Sequence, residues 1–216
     1  MRALLFANGD LNPGPLVDEA LTFAPEALIV AADGGARHTR ALGLTPHLII
    51  GDMDSLSEDE MAGFTAQGVA VQRHPPAKDE TDLELALLYA ARQGADWIRV
   101  IGGMGDRLDQ TLGNVFLLTL PQLVGRDVRL LVGHQAAWLL RAGENVIYGA
   151  AGDTLSLLPL GGDVSGITTT GLQYALRDGT LFFGPARGIS NVMTGPVASV
   201  RLREGLLLAV YTPGRA

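Results

Sequence analysis

Through residues 1–143, short apolar runs alternate with segments whose apolar positions recur at helical spacing. Runs of this kind predict strands, and they cover residues 2–7, 27–32, 47–50, 69–73, 97–101 and 128–132. Capping-box patterns, from Ser57 to Glu60 and from Thr81 to Glu84, open two of the predicted helices. The alternation therefore predicts an α/β domain with a mostly parallel sheet flanked by helices.

The pattern changes over residues 144–216, where no helical stripe occurs. Short β-rich runs separated by Gly, Asp and Pro predict strands instead, over residues 154–158, 164–168, 172–176, 180–183, 198–203 and 206–211. Asp178-Gly179 and Glu204-Gly205 are typical of hairpin turns. We therefore expect two domains, an α/β domain over 1–143 and a small antiparallel sandwich or barrel over 144–216.

Composition narrows the functional classes. The 216 residues are 47% hydrophobic and include no cysteine, which excludes disulfides and cysteine-ligated zinc and fits a reducing compartment. A net charge of −7 argues against broad contact with nucleic-acid phosphates. No apolar run reaches the length of a membrane span, and the apolar N-terminal stretch is too short for a signal peptide. We expect a cytoplasmic protein that binds neither nucleic acid nor membrane.

Acidic or glycine-rich turns follow several predicted strands of the α/β domain. They are Asp33-Gly34-Gly35, Asp52-Met53-Asp54, Lys78 to Asp82, and Gly102 to Asp109. Because parallel strands end at the same edge of a sheet, these turns should converge there. Asp52 and Asp54 are two residues apart, so an extended backbone would point both carboxylates the same way. Two such carboxylates repel unless a cation lies between them.

Together these side chains are those of a Mg²⁺–nucleotide site. Carboxylate oxygens suit Mg²⁺, while bare glycine backbone and helix N-termini accept phosphate. Lys78 and Arg107 would neutralise phosphate oxygens. Each feature alone has a plainer explanation: Thr81 as a helix cap, Arg107 as a surface residue, and the glycines after residue 101 as a tight turn. Their recurrence at one predicted edge favours the joint interpretation.

Ser190-Asn191 is a polar pair among apolar residues of the second domain. Its hydroxyl and amide would suit hydrogen bonding to a small heterocycle. A turn or bulge explains the same residues, and the sequence alone favours that explanation.

Several common signatures are missing from the chain. It contains no Gly-x-x-x-x-Gly-Lys-Ser/Thr, no Gly-x-Gly-x-x-Gly and no Gly-x-Ser-x-Gly. These absences argue against a P-loop enzyme, a dinucleotide-binding fingerprint and serine hydrolase chemistry.

Motifs that occur in order along nearly the whole chain resemble those of the thiamin pyrophosphokinase family. They lie at residues 32–36, 51–55, 78–87, 105–114 and at Ser190-Asn191. The resemblance implies an α/β nucleotide-binding domain followed by a β-sandwich, working as a homodimer. It also implies a reaction in which Mg²⁺ and ATP convert thiamin to thiamin diphosphate, with AMP as the second product.

The same resemblance implies roles for individual residues. Asp52, Asp54 and Asp82 would hold the metal, and Lys78 and Arg107 would grip the triphosphate. The residues expected beside the nucleotide and its phosphates are Asp33, Gly34, Gly35, Thr81, Gly105 and Asp109.

The acceptor substrate would be met by the second domain. Ser190 and Asn191 would contact thiamin in a pocket shared between subunits. The proton of the thiamin hydroxyl would pass to Asp82 or Asp109, and the sequence does not choose between them.

Two positions depart from the family pattern Gly-Gly-Arg-x-Asp-His. Asp106 adds a side chain and a charge where glycine is usual, and Gln110 cannot act as an acid or base where His could. Other functions therefore stay open: a different heterocyclic alcohol as acceptor, a non-catalytic sensor of nucleotide or thiamin diphosphate, or a metal-dependent phosphohydrolase.

Overall fold

The computed structural model describes residues 1–214, which divide into two compact units, Met1–Gly133 and the chain from His134 onward. The sequence pattern placed the boundary at 143/144. The difference is one strand, Gln135–Leu140, which hydrogen-bonds to Leu207–Thr212 of the second unit. Adjacent buried residues such as Ala136 and Ala137 break the period-two alternation that would have marked it as a strand.

The first unit alternates strands and helices, as predicted. Its elements are β1 (Arg2–Phe6), α1 (Pro15–Leu21), β2 (Leu28–Ala32), α2 (Ala36–Ala41), β3 (Leu48–Gly51), α3 (Glu58–Ala66), β4 (Ala70–Arg73), α4 (Asp82–Arg92), β5 (Trp97–Ile101), α5 (Leu108–Leu117) and β6 (Asp127–Val132). Short 3₁₀ turns cover Ala24–Glu26, Asp33–Gly35 and Pro121–Leu123. Within residues 1–214, no helix combines the length and apolar character needed to cross a membrane.

The strands of the first unit form a parallel sheet in the order β6-β5-β1-β2-β3-β4. β1 and β2 bury every residue except the first, as expected of strands covered on both faces. The chain order reverses at β1, because β2 lies on one side of it and β5 on the other. Such a reversal opens a crevice at the carboxyl ends of the strands, where α/β proteins bind ligands.

The second unit is all β. Its strands are β7 (Gln135–Leu140), β8 (Gly143–Tyr148), β9 (Thr154–Pro159), β10 (Val164–Thr170), β11 (Gly179–Leu181), β12 (Asn191–Val192), β13 (Val197–Leu202) and β14 (Leu207–Thr212). They pair antiparallel in two groups, β12-β9-β14-β7 and β11-β10-β13-β8. Alternate residues are buried, for example Leu155 and Leu157 of β9, which is typical of a sandwich. The predicted fold class is confirmed.

Some details of the predicted β pattern were wrong. Residues 172–176 do not form a strand, and only Leu172 makes an isolated bridge, to Met193. Glu204-Gly205 closes no hairpin, because β13 and β14 pair in different groups. Asp178-Gly179 does end a hairpin connection: Asp178 adopts a left-handed turn conformation (φ 49°) directly before β11, and β11 pairs antiparallel with the preceding strand β10. The polar strand β8 and the short β12 were not predicted.

Candidate active site

A polar cleft of about 370 Å³ lies at the carboxyl edge of the parallel sheet. Its walls come from the segments that follow β1, β2, β3, β4 and β5. The strand pattern predicted this convergence of the acidic and glycine-rich turns, because the strands that carry them are parallel and adjacent.

A carboxylate cluster occupies the cleft. Asp33, Asp52 and Asp82 each offer an oxygen within 4.8 Å of the others. Asp33 is only 3% exposed, and its Oδ2 accepts a hydrogen bond from the Ser55 N–H at 3.2 Å. Its Oδ1 is buried and has no hydrogen-bond partner among residues 1–214. A buried oxygen left unpaired is costly, and converging carboxylates suit a hard cation. The cluster therefore fits Mg²⁺.

Lys78 lies against the same cluster. Its Nζ is 3.3 Å from Asp52 Oδ2 and 3.1 Å from Asp82 Oδ1. Burial opposes the charged form of Lys78, but Asp82 and Asp52 together raise its pKa. Burial raises the pKa of Asp82. At Asp52 burial acts in that direction too, yet the Asp54 N–H and Lys78 hold its pKa below the ordinary value. The ammonium thus offsets part of the clustered negative charge.

The backbone around β3 shapes the cluster. Gly51 (φ 149°) leaves room for Asp82, whose carboxyl carbon would lie 2.8 Å from a Cβ at this position. Met53 is left-handed (φ 68°) with a buried side chain. The expected extended backbone through Asp52 and Asp54 was therefore wrong, because the chain turns between them. Asp54 lines the cleft, and its Oδ1 accepts from the Ser55 hydroxyl at 3.1 Å, but it is not one of the three clustered carboxylates.

The turn after β2 depends on close packing. A Cβ on Gly34 would lie 2.3 Å from Asn8 Oδ1, and one on Gly35 would lie 2.0 Å from the Phe6 carbonyl oxygen. Both glycines are buried. A side chain would not fit at either position, because both glycines pack against the end of β1. This packing holds Asp33 in place.

Two helix starts border the cleft. Thr81 caps α4 as predicted, its hydroxyl accepting from the Glu84 N–H at 3.2 Å, and it also lines the cleft. Gly105 lines the cleft before α5 and donates its N–H to Thr111 Oγ1 at 3.3 Å. Helix N-termini favour anions, so this side of the cleft suits phosphate.

Arg107 and Asp109 pair with each other at the start of α5. The guanidinium donates two hydrogen bonds to the carboxylate, at 3.2 and 2.6 Å, and the side chains are 64% and 68% exposed. The bond from Arg107 lowers the pKa of Asp109. Arg107 lines the cleft with the two unusual residues, Asp106 and Gln110, which are both exposed.

Sequence reasoning missed part of the cleft. Asn8 donates to Ser55 Oγ at 3.2 Å, and a Cβ on Gly9 would lie 2.4 Å from the Met104 carbonyl oxygen. Asn114 is buried and donates to the Gly103 carbonyl at 2.6 Å. The Asn-Gly pair directly after a buried strand was the available signal for the first two.

The polar pair of the second unit adjoins a separate cavity of about 290 Å³, which Asn191 lines with Tyr174, Leu176 and Arg187 among others. Ser190 is exposed and left-handed (φ 58°), and its N–H donates to Ser156 Oγ at 3.0 Å. The structure therefore places Asn191 in the wall of this cavity. Ser190 is its neighbour in the chain and is not one of the residues that line the cavity.

Comparison with known families decides the classification. Residues 21–130 match the family model described as thiamin pyrophosphokinase, catalytic domain. The chain belongs to the thiamin pyrophosphokinase family. Residues 144–207 match a second model, thiamin pyrophosphokinase, vitamin B1 binding domain. The resemblance seen in the ordered motifs is confirmed.

Individual relatives agree with this assignment. The thiamine pyrophosphokinase of Bacillus subtilis is 27% identical over 201 residues, 92% of this chain and 94% of the relative. A crystal structure of thiamine pyrophosphokinase from Bacillus subtilis is similar with a TM-score of 0.88 at 26% identity, covering 99% of each chain. Thiamin pyrophosphokinase from Candida albicans, 19% identical, shares the fold with a TM-score of 0.81 over 98% of this chain and 88% of that chain. The chain is thus a thiamin pyrophosphokinase family enzyme.

Proposed function

We propose that this enzyme transfers the diphosphate group of ATP to the hydroxyl of thiamin, giving thiamin diphosphate and AMP. Family membership supplies the reaction class. The observation that carries the proposal at this site is the convergence of Asp33, Asp52 and Asp82 at the sheet edge, with Lys78 against them. Carboxylates, a cation and helix N-termini are what a metal-bound polyphosphate requires.

Mg²⁺ would be held by Asp33, Asp52 and Asp82, with Asp54 available in the same cleft. When bound, the ion neutralises phosphate oxygens and polarises the transferred group. The buried, unpartnered Oδ1 of Asp33 supports this assignment.

The phosphates would lie between the two helix starts. Lys78 and Arg107 supply positive charge, and the N-terminal N–H groups of α4, next to Thr81, favour anionic oxygens. The segment from Asp33 to Gly35 and the loop at Gly105 would place the rest of the nucleotide. Positioning and charge neutralisation are the main contributions of the protein to phosphoryl transfer.

The new bond forms between the thiamin hydroxyl oxygen and the β-phosphorus, and the bond from that phosphorus to the α-phosphate oxygen breaks. The hydroxyl proton passes to a carboxylate, Asp82 or Asp109. The variant Asp109→Asn distinguishes them in single-turnover assays. A large fall in the rate of the chemical step, with ATP affinity retained, would assign the proton to Asp109, and a rate near that of the wild type would assign it to Asp82.

Thiamin would bind at the second unit, which matches the vitamin B1 binding family model and carries a cavity that Asn191 lines, with Ser190 next to it in the chain. From the family resemblance we also infer a homodimer with the thiamin pocket shared between subunits, working in the cytoplasm, where ATP is supplied. The molar mass measured by light scattering during size-exclusion chromatography tests whether the protein is a dimer. A fully active monomer would contradict the inference.

The deciding experiment is to incubate the protein with Mg²⁺, ATP and thiamin and to identify the products by mass. We expect thiamin diphosphate and AMP, and no product when Mg²⁺ is chelated. Free phosphate without transfer would indicate a phosphohydrolase, and tight binding without turnover would indicate a sensor. A panel of other heterocyclic alcohols tests whether a different acceptor is preferred.

A further inference from the structure

The side chain of Asn191 is almost fully committed within the protein. Its Oδ1 accepts from the N–H groups of Tyr174 and Val192, at 3.0 and 2.9 Å, and its Nδ2 donates to the Tyr174 carbonyl at 2.8 Å. A carboxamide has two acceptor sites on oxygen and two donor hydrogens on nitrogen. Only one donor hydrogen therefore remains for a ligand.

These bonds continue a row of pairings between two chain segments. The Thr194 N–H donates to the Gly171 carbonyl, Leu172 and Met193 form an isolated bridge, and the Gln173 N–H donates to the Val192 carbonyl. At the next position the backbone of Asn191 is paired with Leu155 of β9 on its other side. The carboxamide supplies the missing rung, since it presents a donor and an acceptor to the peptide of Tyr174 as a strand would.

The segment that these bonds hold, residues 171–176, forms part of a cavity wall. Tyr174, Ala175 and Leu176 line the cavity that Asn191 adjoins, and residues 172–176 have no regular strand pairing of their own. The Tyr174 side chain is 64% exposed, so burial contributes little to holding its backbone. Leu176 is held separately, because its backbone C=O and N–H bond to Thr169. The side chain of Asn191 is therefore the hydrogen-bonding restraint on Tyr174, between the backbone pairing of Gln173 and that of Leu176.

We propose that Asn191 is a positioning residue, which fixes Tyr174, within segment 171–176, as a wall of the thiamin cavity and makes no contact with thiamin itself. This inference rests on the proposed function of the second unit. It divides the polar pair, because Ser190 keeps an exposed hydroxyl for a ligand whereas Asn191 acts through Tyr174.

The test uses Asn191→Ala and Asn191→Asp in the full chain, with Gln173→Ala as the matched control. Gln173 is an exposed neighbour whose pairing uses only its backbone. Ala removes all three bonds, while Asp keeps the shape and both accepted bonds but sets a carboxylate oxygen against the Tyr174 carbonyl. Hydrogen exchange of the Tyr174 amide is measured without ligand, and thiamin affinity is measured by calorimetry.

We expect Asn191→Ala to exchange the Tyr174 amide about tenfold faster and to bind thiamin about tenfold more weakly, because tenfold corresponds to about 1.4 kcal/mol, which the loss of three hydrogen bonds supplies. Asn191→Asp keeps the accepted bonds and loses the donated one, so its changes should have the same direction and a smaller size. The KM for thiamin should rise while the KM for ATP stays unchanged. Gln173→Ala should match the wild type. If Asn191→Ala does not fold, Asn191→Asp gives the answer alone.

Weaker thiamin binding with unchanged exchange at Tyr174 would overturn the inference in favour of direct contact. Faster exchange with unchanged thiamin affinity would also overturn it, since the wall would then not matter for binding. Failure of the wild-type protein to bind thiamin is a separate result, which would overturn the proposed function instead.

Discussion

At the scale of single residues, Asp33 has an unfavourable backbone conformation and an unfavourable electrostatic environment. It is left-handed (φ 44°), almost fully buried, and close to two other carboxylates. A non-glycine residue in that backbone region costs on the order of 1 kcal/mol or more, and neighbouring like charges add to the cost. Strain of this kind clusters at functional sites, which agrees with a role in binding a cation.

The first prediction concerns Asp33→Asn, which keeps the size and removes the charge. Turnover should fall by about 100-fold or more, because electrostatic stabilisation is lost where phosphoryl charge develops, and the Mg²⁺ concentration for half-maximal activity should rise. The unfolding temperature should not fall, because repulsion within the cluster is relieved. Asp79→Asn, on an exposed residue of the same loop as Lys78, is the control. Unchanged Mg²⁺ dependence in Asp33→Asn would contradict the metal assignment.

The sequence could predict Asp52, Asp82 and Lys78 as site residues, because Asp52 directly follows the buried strand β3, and Lys78 and Asp82 follow the next predicted strand, β4. It assigned Asp33 to the nucleotide and could not place it in the carboxylate cluster, since that depends on the left-handed turn of Asp33 and on the packing of Gly34 and Gly35. Asn114 lies in the family motif at residues 105–114 but was given no role, because its contact with Gly103 joins a helix to a loop eleven positions away.

At the scale of elements, α3 shows how local chemistry fixes a helix start. Ser57 Oγ accepts from the Glu60 N–H at 3.2 Å, and Glu60 accepts from the Ser57 N–H at 2.9 Å. Glu60 also accepts from Arg37 Nε at 2.6 Å and Nη2 at 2.8 Å, which ties α3 to α2. The pKa of Glu60 is lowered to about 2, chiefly by the hydrogen bond from Arg37 and next by the one from the Ser57 N–H.

The second prediction follows from that pKa. Because the pKa of Glu60 is lower in the folded chain than the ordinary 4.5, its contribution to stability is complete above pH 4.5 and is lost as the pH falls toward about 2. Glu60→Gln should therefore flatten the loss of stability across this window, measured as urea midpoints. Glu58→Gln, in the first turn of the same helix, should keep the wild-type slope. Identical slopes for Glu60→Gln and the wild type would disprove the linkage.

Elements specified by nearby residues could be predicted from the sequence, and those specified by distant partners could not. The capping-box patterns in the sequence identified both α3 and α4, since a cap involves residues three apart. The structure forms the full box at Ser57 and Glu60, and at α4 the Thr81 cap on the Glu84 N–H. β13 and β14 looked like the arms of a hairpin, but each pairs with a strand far away in the sequence. The sequence alone carries no signal for that choice of partners.

At the scale of the whole molecule, the two units are proposed to divide the substrates between them. The third prediction is therefore a pair of opposite effects. Ser190→Ala should raise the KM for thiamin several-fold and leave that for ATP unchanged, while Arg107→Ala should do the reverse, because Arg107 lines the acidic cleft and Ser190 lies in the other unit. Steady-state kinetics with each substrate varied in turn give the comparison. Equal losses for both substrates in either variant would contradict the division.

The fold class could be predicted because it depends on the order of element types, and that order is visible along the chain. The boundary between the two units was harder to predict from the sequence. β7 belongs to the second unit through its hydrogen bonds to β14, and no change in composition marks the residues before it.

The position of Lys78 has a consequence for how the proposed Mg²⁺ would bind. A tethered ammonium competes with any bare divalent ion for Asp52 and Asp82, and because it is covalently attached it cannot be diluted away. An ion that is chelated by a triphosphate brings phosphate oxygens with it. These oxygens give the Lys78 ammonium other anionic groups to pair with, so that it can release the carboxylates. We therefore expect calorimetry to show much weaker binding of MgCl₂ alone than of preformed Mg·ATP. Equal affinities would mean that Lys78 does not compete with the ion, and that the protein without nucleotide does not disfavour the binding of free divalent cations.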